Sequence, residues 1–267
     1  MIRRPVVSGR FYAEKKSLLR REIGGYTRRK KDRINALGVV SPHAGYVYSG
    51  SVAGEVFSSA KPKPAYVIIG PNHTGFGKPF GLDVERAWET PLGEVKTDRE
   101  LAEAILRNCR HIEPDEVCHN YEHSIEVQLP FLQYLNKVFT FVPITISPAS
   151  AEILEKIGSG IAGAVKELKR DVTVIASSDM THYEPKESAE KKDRMVIEKM
   201  LALDAAGMLD VVDREDVSMC GFAPTAVMLS AAIGLGAKSA KLIKYGTSGD
   251  ASGDYSAVVG YAGVIIY

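Results

Sequence analysis

Six short apolar runs punctuate the chain: Ala36–Val40, Ala65–Ile69, Phe139–Ile146, Val172–Ala176, Ala240–Tyr245 and Ala257–Ile266. Several lack a polar residue at every second place and are rich in Val and Ile, the pattern of strands covered on both faces. Between them lie helical patterns with legible ends. Thr97-Asp-Arg-Glu100 reads as a capping box opening a helix to about Asn108, with Leu101, Ala104 and Ile105 on one face. Ser147-Pro148 opens another, whose stripe is Ile153, Leu154, Ile157, Ile161, Val165 and Leu168. Further helices are expected at about Val52–Ser59, Ile125–Leu135, Lys186–Leu203 and Ala223–Gly234. This alternation predicts an α/β sandwich with a mostly parallel central sheet flanked by helices. No linker, repeat or low-complexity tract divides the chain, so residues 1–267 read as a single domain.

Composition removes several function classes. Thirty-four basic against thirty-three acidic residues leave a net charge of +1, so no global field favours nucleic acid or acidic lipid. The block Arg20, Arg21, Arg28, Arg29, Lys30, Lys31 and Arg33 lacks interleaved aromatics and reads as a solvated early helix and turn. No apolar run approaches the ~18 residues of a membrane span, and the first nine residues lack the apolar stretch of a secretory signal. Three scattered cysteines, Cys109, Cys118 and Cys220, argue against a disulfide framework and for a reducing cytoplasm. The spacing of Cys109, Cys118 and His119 does not fit a zinc knuckle, and Cys220 reads as a small buried apolar residue. No Gly-x-Gly-x-x-Gly stands in the strand-to-helix context of a dinucleotide site, and Walker and Gly-x-Ser-x-Gly motifs are absent from the sequence.

Four of the apolar runs end directly in polar loops: Ser41-Pro-His-Ala-Gly-Tyr46, Gly70-Pro-Asn-His-Thr-Gly75, Ser177-Ser-Asp-Met-Thr-His-Tyr183 and Gly246–Asp254. In an open parallel sheet the carboxyl ends of the strands share one edge, where ligands bind. His43, His73, Asp179, His182 and Asp250 should therefore converge. Two imidazoles and a carboxylate on one face of a metal leave positions open for substrate, as in non-haem iron sites, and similar sets hold zinc. His43 and His73 are the best ligand candidates. Asp179 and His182, three apart, fit an imidazole base oriented by a carboxylate, although Asp179 also suits a cap. His123 and Glu126 in Tyr121-Glu-His-Ser-Ile-Glu126 would share a helical face and could fix a ligand imidazole from behind.

Pro42-His-Ala-Gly-Tyr46, Gly70-Pro-Asn-His73, Glu122-His-Ser-Ile-Glu126, Ser177-Ser-Asp179, His182 and Cys220-Gly stand in the order seen in the Memo family, which the chain resembles from Pro5 onward. The resemblance implies an α/β fold like that of class III extradiol dioxygenase (LigB)-like catalytic subunits, which use non-haem iron(II). It implies His43 and His73 as metal ligands, Asp179 and His182 as pocket residues, and Phe11 at the pocket rim. Animal members are expected to place a cysteine ligand in the last loop, where this chain has Ala251, with Asp250 beside it. Asp250 as third ligand would restore a two-histidine, one-carboxylate set. The function so implied is a metal-dependent, dioxygenase-like oxidoreductase acting on a small substrate, with iron(II) foremost and zinc or copper as alternatives. The rivals are a non-catalytic pocket for a phosphopeptide-like or anionic ligand, and a metal-dependent hydrolase.

Overall fold

The computed structural model describes residues 1–28 and 30–267. All six apolar runs are strands, and shorter ones extend the sheet. In chain order the strands are β1 (Ile2–Arg3), β2 (Gly38–Ser41), β3 (Ala65–Pro71), β4 (Phe80–Leu82), β5 (Ala87–Thr90) and β6 (Gly93–Thr97). They continue with β7 (Glu113–Pro114), β8 (Thr140–Ile146), β9 (Val172–Ser177), β10 (His182–Glu184), β11 (Ala240–Thr247) and β12 (Val258–Ile266). Along its main path the sheet runs β1-β5-β6-β8-β3-β9-β2-β12-β10. From β6 through β8, β3 and β9 to β2 every pairing is parallel.

The sheet is mostly parallel as expected, with antiparallel pairs where β4 meets β8, β5 meets β6, and β12 lies against β2, β10 and β11. The connection from β11 to β12 accounts for the pairing of those two. It can close an antiparallel pair, whereas a parallel one needs a crossover of a dozen or more residues.

Helices α1 (Lys16–Tyr26), α2 (Tyr46–Ser59), α3 (Arg99–Asn108), α4 (Leu129–Leu135), α5 (Ala151–Glu167), α6 (Lys186–Leu201), α7 (Ala205–Arg214), α8 (Phe222–Gly234) and α9 (Gly249–Ser252) cover both faces. The period of two along each strand divides the interior into two cores. Val40, Val67, Ile69, Val142, Ile144, Val174 and Val264 pack with residues of α3, α5 and α8. Their neighbours Val39, Tyr66, Ile68, Phe141, Ile175 and Ile265 face α1, α2 and α4. Strands buried on both faces are thus apolar throughout.

Two helix starts differ from expectation. Asp98, not Thr97, caps α3, accepting from Leu101 N, and Ser150 caps α5, accepting from Ile153 N. In both cases the oxygen that reaches an N–H two or three residues inside the helix fixes the boundary. Ile125–Leu135 is not one helix but a 3-10 turn, Glu126–Gln128, leading into α4. Within the basic block, Lys30 pairs with Glu55 and Arg20 lies over the Tyr134 ring; Arg29 lies outside the described residues. Among the described residues no helix is long and apolar enough to cross a membrane.

Candidate metal centre

Because β3, β9 and β2 are adjacent and parallel, the loops leaving them meet at one edge of the sheet. His43, His73 and Asp179 each follow the end of their strand closely. His123 arrives from the segment before the Glu126–Gln128 turn. Gly70 admits that segment, since a Cβ at residue 70 would collide with the Ser124 side chain. His43, His73 and His123 each offer one ring nitrogen, and these three atoms lie within 4.8 Å of one another. The His43 ring stands edge-on to the other two, with centroids 5.2 Å from His73 and 5.5 Å from His123. The His73 and His123 rings stack 5.0 Å apart.

Glu122 organises two of the three. Fully buried, its carboxylate accepts from His73 N at 2.7 Å, His123 N at 2.9 Å and Ser124 N at 2.8 Å, and lies 3.0 Å from His73 Nδ1. His123 Nδ1 lies 3.7 Å from the same oxygen. Burial alone would push the Glu122 carboxyl up; the hydrogen bond and charge of His73 reverse this and hold it at about 2. Burial would likewise lower His73, yet the hydrogen bond and charge of Glu122 leave its pKa raised. His43, the most deeply buried of the three rings, is lowered well below the usual histidine range by burial and then by the neighbouring His123 and His73. Burial also lowers His123. An acceptor behind Nδ1 is the usual way a ligand imidazole is oriented with Nε2 toward a metal.

Further groups stand near the imidazoles. Asp179 Oδ1 accepts from His43 N at 2.7 Å, and burial pushes its carboxyl up to about 6. Cys220 Sγ lies 3.2 Å from His43 Nε2 and accepts from Asp179 N at 3.3 Å. Its loop packs against the end of β9 because Gly221 has no Cβ to strike Ser178. His182 is near enough for its charge to lower the His43 pKa. Its Nδ1 faces the Ser218 carbonyl at 2.8 Å and its backbone N–H donates to Ser218 Oγ at 2.7 Å, so Ser218 rather than Asp179 orients it. Phe11, expected at the rim, packs its ring 4.9 Å from that of His123.

Two expected residues stand elsewhere. Asp250 is exposed on α9, its Oδ2 accepts from Thr247 N at 2.9 Å, and it is not a member of the imidazole group. The reason is sheet order: β12 separates β11 from β2, which sets the loop after β11 about 10 Å to one side. Ala251 shares that exposed helix. The thiol at the site comes instead from Cys220, which its apolar surroundings in the sequence present as a plain buried residue. Glu126 is fully buried but serves the N-terminal segment, pairing with Arg3 Nη1 at 2.8 Å and accepting from Val6 N, Val7 N and Tyr12 Oη. The carboxylate behind the imidazoles is its neighbour Glu122. A carboxylate immediately preceding a histidine is its sequence signal, whereas helical spacing points to Glu126.

Comparison with known proteins places this chain in a family. The chain is 44% identical over 279 residues to a MEMO1 family protein of Methanopyrus kandleri, covering 99% of each chain. It is 44% identical over 275 residues to one from Methanothermobacter thermautotrophicus, covering 98% of this chain and 99% of the relative. A relative from Pyrobaculum aerophilum is 41% identical over 279 residues, covering 100% of this chain and 99% of its own. An uncharacterized protein of Escherichia coli K12, known from a crystal structure, shares the fold at a TM-score of 0.58 and 14% identity, over 85% of this chain and 98% of its own. The family model described as Memo-like protein matches residues 3–265, and the chain belongs to the Memo family.

Proposed function

We propose that this chain holds one divalent transition metal between His43, His73 and His123, and that the site carries out oxidoreductase chemistry on a small oxygen-bearing substrate. The observation that carries the reading is the convergence of three imidazole nitrogens within 4.8 Å. The residues fit such an ion. His43 and His73 each have an acceptor at Nδ1, and a carboxylate oxygen lies behind His123 Nδ1 as well, while imidazole suits iron, zinc and copper. His123 takes the ligand position that the sequence offered to Asp250, and Cys220 adds a soft donor beside His43. When bound, a divalent metal supplies Lewis acidity, and iron(II) also gives access to dioxygen chemistry. The expected kinship with extradiol dioxygenases supports iron(II) as the first metal to test.

The chain's own groups divide the remaining work. Glu122 keeps His73 and His123 oriented by holding both backbones and His73 Nδ1. With Nδ1 donating to Ser218 O, His182 keeps Nε2 as the ring's acceptor, the atom that would receive a proton from a substrate hydroxyl. Asp179, at about 6, exchanges a proton near neutral pH inside the same pocket. Phe11 walls one side and limits water around His123.

The test is metal analysis by mass spectrometry on protein purified anaerobically without affinity-tag metals, alongside His43→Ala, His73→Ala, His123→Ala and Asp250→Ala. Near one iron per chain, lost in the three histidine variants and kept in Asp250→Ala, supports the proposal and leads to oxygen-uptake assays. One zinc moves the reading to hydrolysis. No metal after reconstitution refutes it and leaves a binding pocket for a peptide or anion.

A further inference from the structure

His43 has its two ring nitrogens in different company. Nδ1 lies 3.0 Å from Ser177 Oγ and Nε2 lies 3.2 Å from Cys220 Sγ. The proton position on the ring follows from the partners of Ser177. Its hydroxyl lies 2.6 Å from the Ser124 carbonyl, which can only accept, so the hydroxyl proton is committed there. Gln128 Nε2 donates to Ser177 Oγ at 2.7 Å and to the Pro42 carbonyl at 3.0 Å. Turning the amide over would set Oε1 against the Pro42 carbonyl, so its orientation is fixed as well. With its proton spent on Ser124 O and one lone pair taken by Gln128, Ser177 Oγ has only a lone pair left to offer His43. Nδ1 therefore carries the hydrogen and Nε2 is bare.

Ser124, Gln128 and Ser177 are all fully buried, which keeps solvent from offering His43 an alternative partner. Among the described residues Gln128 Oε1 is buried without a hydrogen-bond partner. Both amide hydrogens of Gln128 are in use. One fixes Ser177 behind the ring; the other fixes Pro42, the residue immediately before His43.

We propose that Ser177, held by Gln128 and the Ser124 carbonyl, is a positioning residue that sets His43 as the Nδ1–H tautomer with its Nε2 lone pair facing the site. Its purpose rests on the metal reading above; its geometry does not. The experiment uses metal-free, full-length protein with ¹⁵N-labelled histidine, in which long-range ¹H–¹⁵N correlations distinguish protonated from bare ring nitrogens. Zinc, a redox-silent probe, is then titrated. Wild-type His43 should be Nδ1–H. Ser177→Ala should shift it toward Nε2–H and weaken zinc binding by about 10- to 100-fold, and Ser177→Thr, which retains the hydroxyl, should restore both. A wild-type spectrum showing Nε2–H overturns the proposal and needs no variant to fold. So does a Ser177→Ala spectrum that retains the Nδ1–H tautomer. Wild-type Nδ1–H in a protein that binds no zinc, iron or copper would defeat the metal reading alone.

Discussion

Replacing Glu122 with glutamine tests the clamp behind the imidazoles with almost no change of shape. The carboxylate is surrounded by three backbone N–H groups and His73 Nδ1, and an amide would turn two of its own hydrogens toward some of these donors. The magnitude follows from titration. A fall from the ordinary 4.5 to about 2 means the folded protein favours the ionised form by roughly 3 kcal/mol. The carboxyl is depressed on folding, so this stability is complete above the unfolded value and drains away as pH falls toward 2. At pH 3 about 1.4 kcal/mol of it remains. Urea unfolding of metal-free wild type and Glu122→Gln should therefore differ by roughly 3 kcal/mol at pH 7 and by less than half of that at pH 3. In a chain of this size the neutral-pH difference corresponds to a fall in Tm of about 6–12 °C. A difference that is equal at the two pH values, or below about 0.5 kcal/mol at pH 7, would show that Glu122 is not held ionised by His73 and the backbone.

Asp179→Asn tests the opposite shift. The Asp179 carboxyl is raised to about 6, so its ionisation costs stability as pH climbs through the window from 3.8. The asparagine, which keeps an acceptor for His43 N, should make the metal-free protein up to ~3 kcal/mol more stable at pH 7, with the gain vanishing below pH 4 in calorimetry. It should also abolish any activity limb near pH 6. Glu126→Ala leaves Arg3 charged and buried without its partner and should cost about 3–5 kcal/mol in denaturant unfolding, with early proteolytic release of the N-terminal segment. Asp250→Ala should leave metal stoichiometry unchanged by mass spectrometry, because that carboxylate accepts from Thr247 N in its own turn and stands outside the imidazole group.

What could be seen in the sequence was whatever local periodicity and strand ends encode. The six central strands and the residence of His43, His73 and Asp179 at one edge follow from apolar runs ending in polar loops. Asp250 was misplaced because a loop at the correct edge of a sheet can still lie strands away, and lateral order is not written in local pattern. Helical spacing pairs Glu126 with His123, but only Glu126 lies in the 3-10 turn; His123 precedes it, and the two part company, one toward the N-terminal segment and the other toward the imidazole group. Cys220, Ser177 and Gln128 escaped because single polar residues next to apolar ones carry no signal until tertiary structure supplies their partners. Gln128 reaches Ser177 across 49 positions, and Cys220 reaches His43 across 177.

The position of β12 also bears on how the molecule is made. β2, which delivers His43, lies between β9 and β12, and neither neighbour exists when residues 38–41 emerge from the ribosome. The first of the central strands must wait for residues 172–177 on one side and for residues 264–266 on the other. Pairings this distant in sequence slow folding, because chain entropy is lost before the contacts that compensate for it are made. During that interval the apolar edge of β2 is open to other chains. Nascent chains stalled short of about residue 260 should accordingly be heavy clients of chaperones, whereas those carrying β12 clear of the exit tunnel should close the sheet and need them far less.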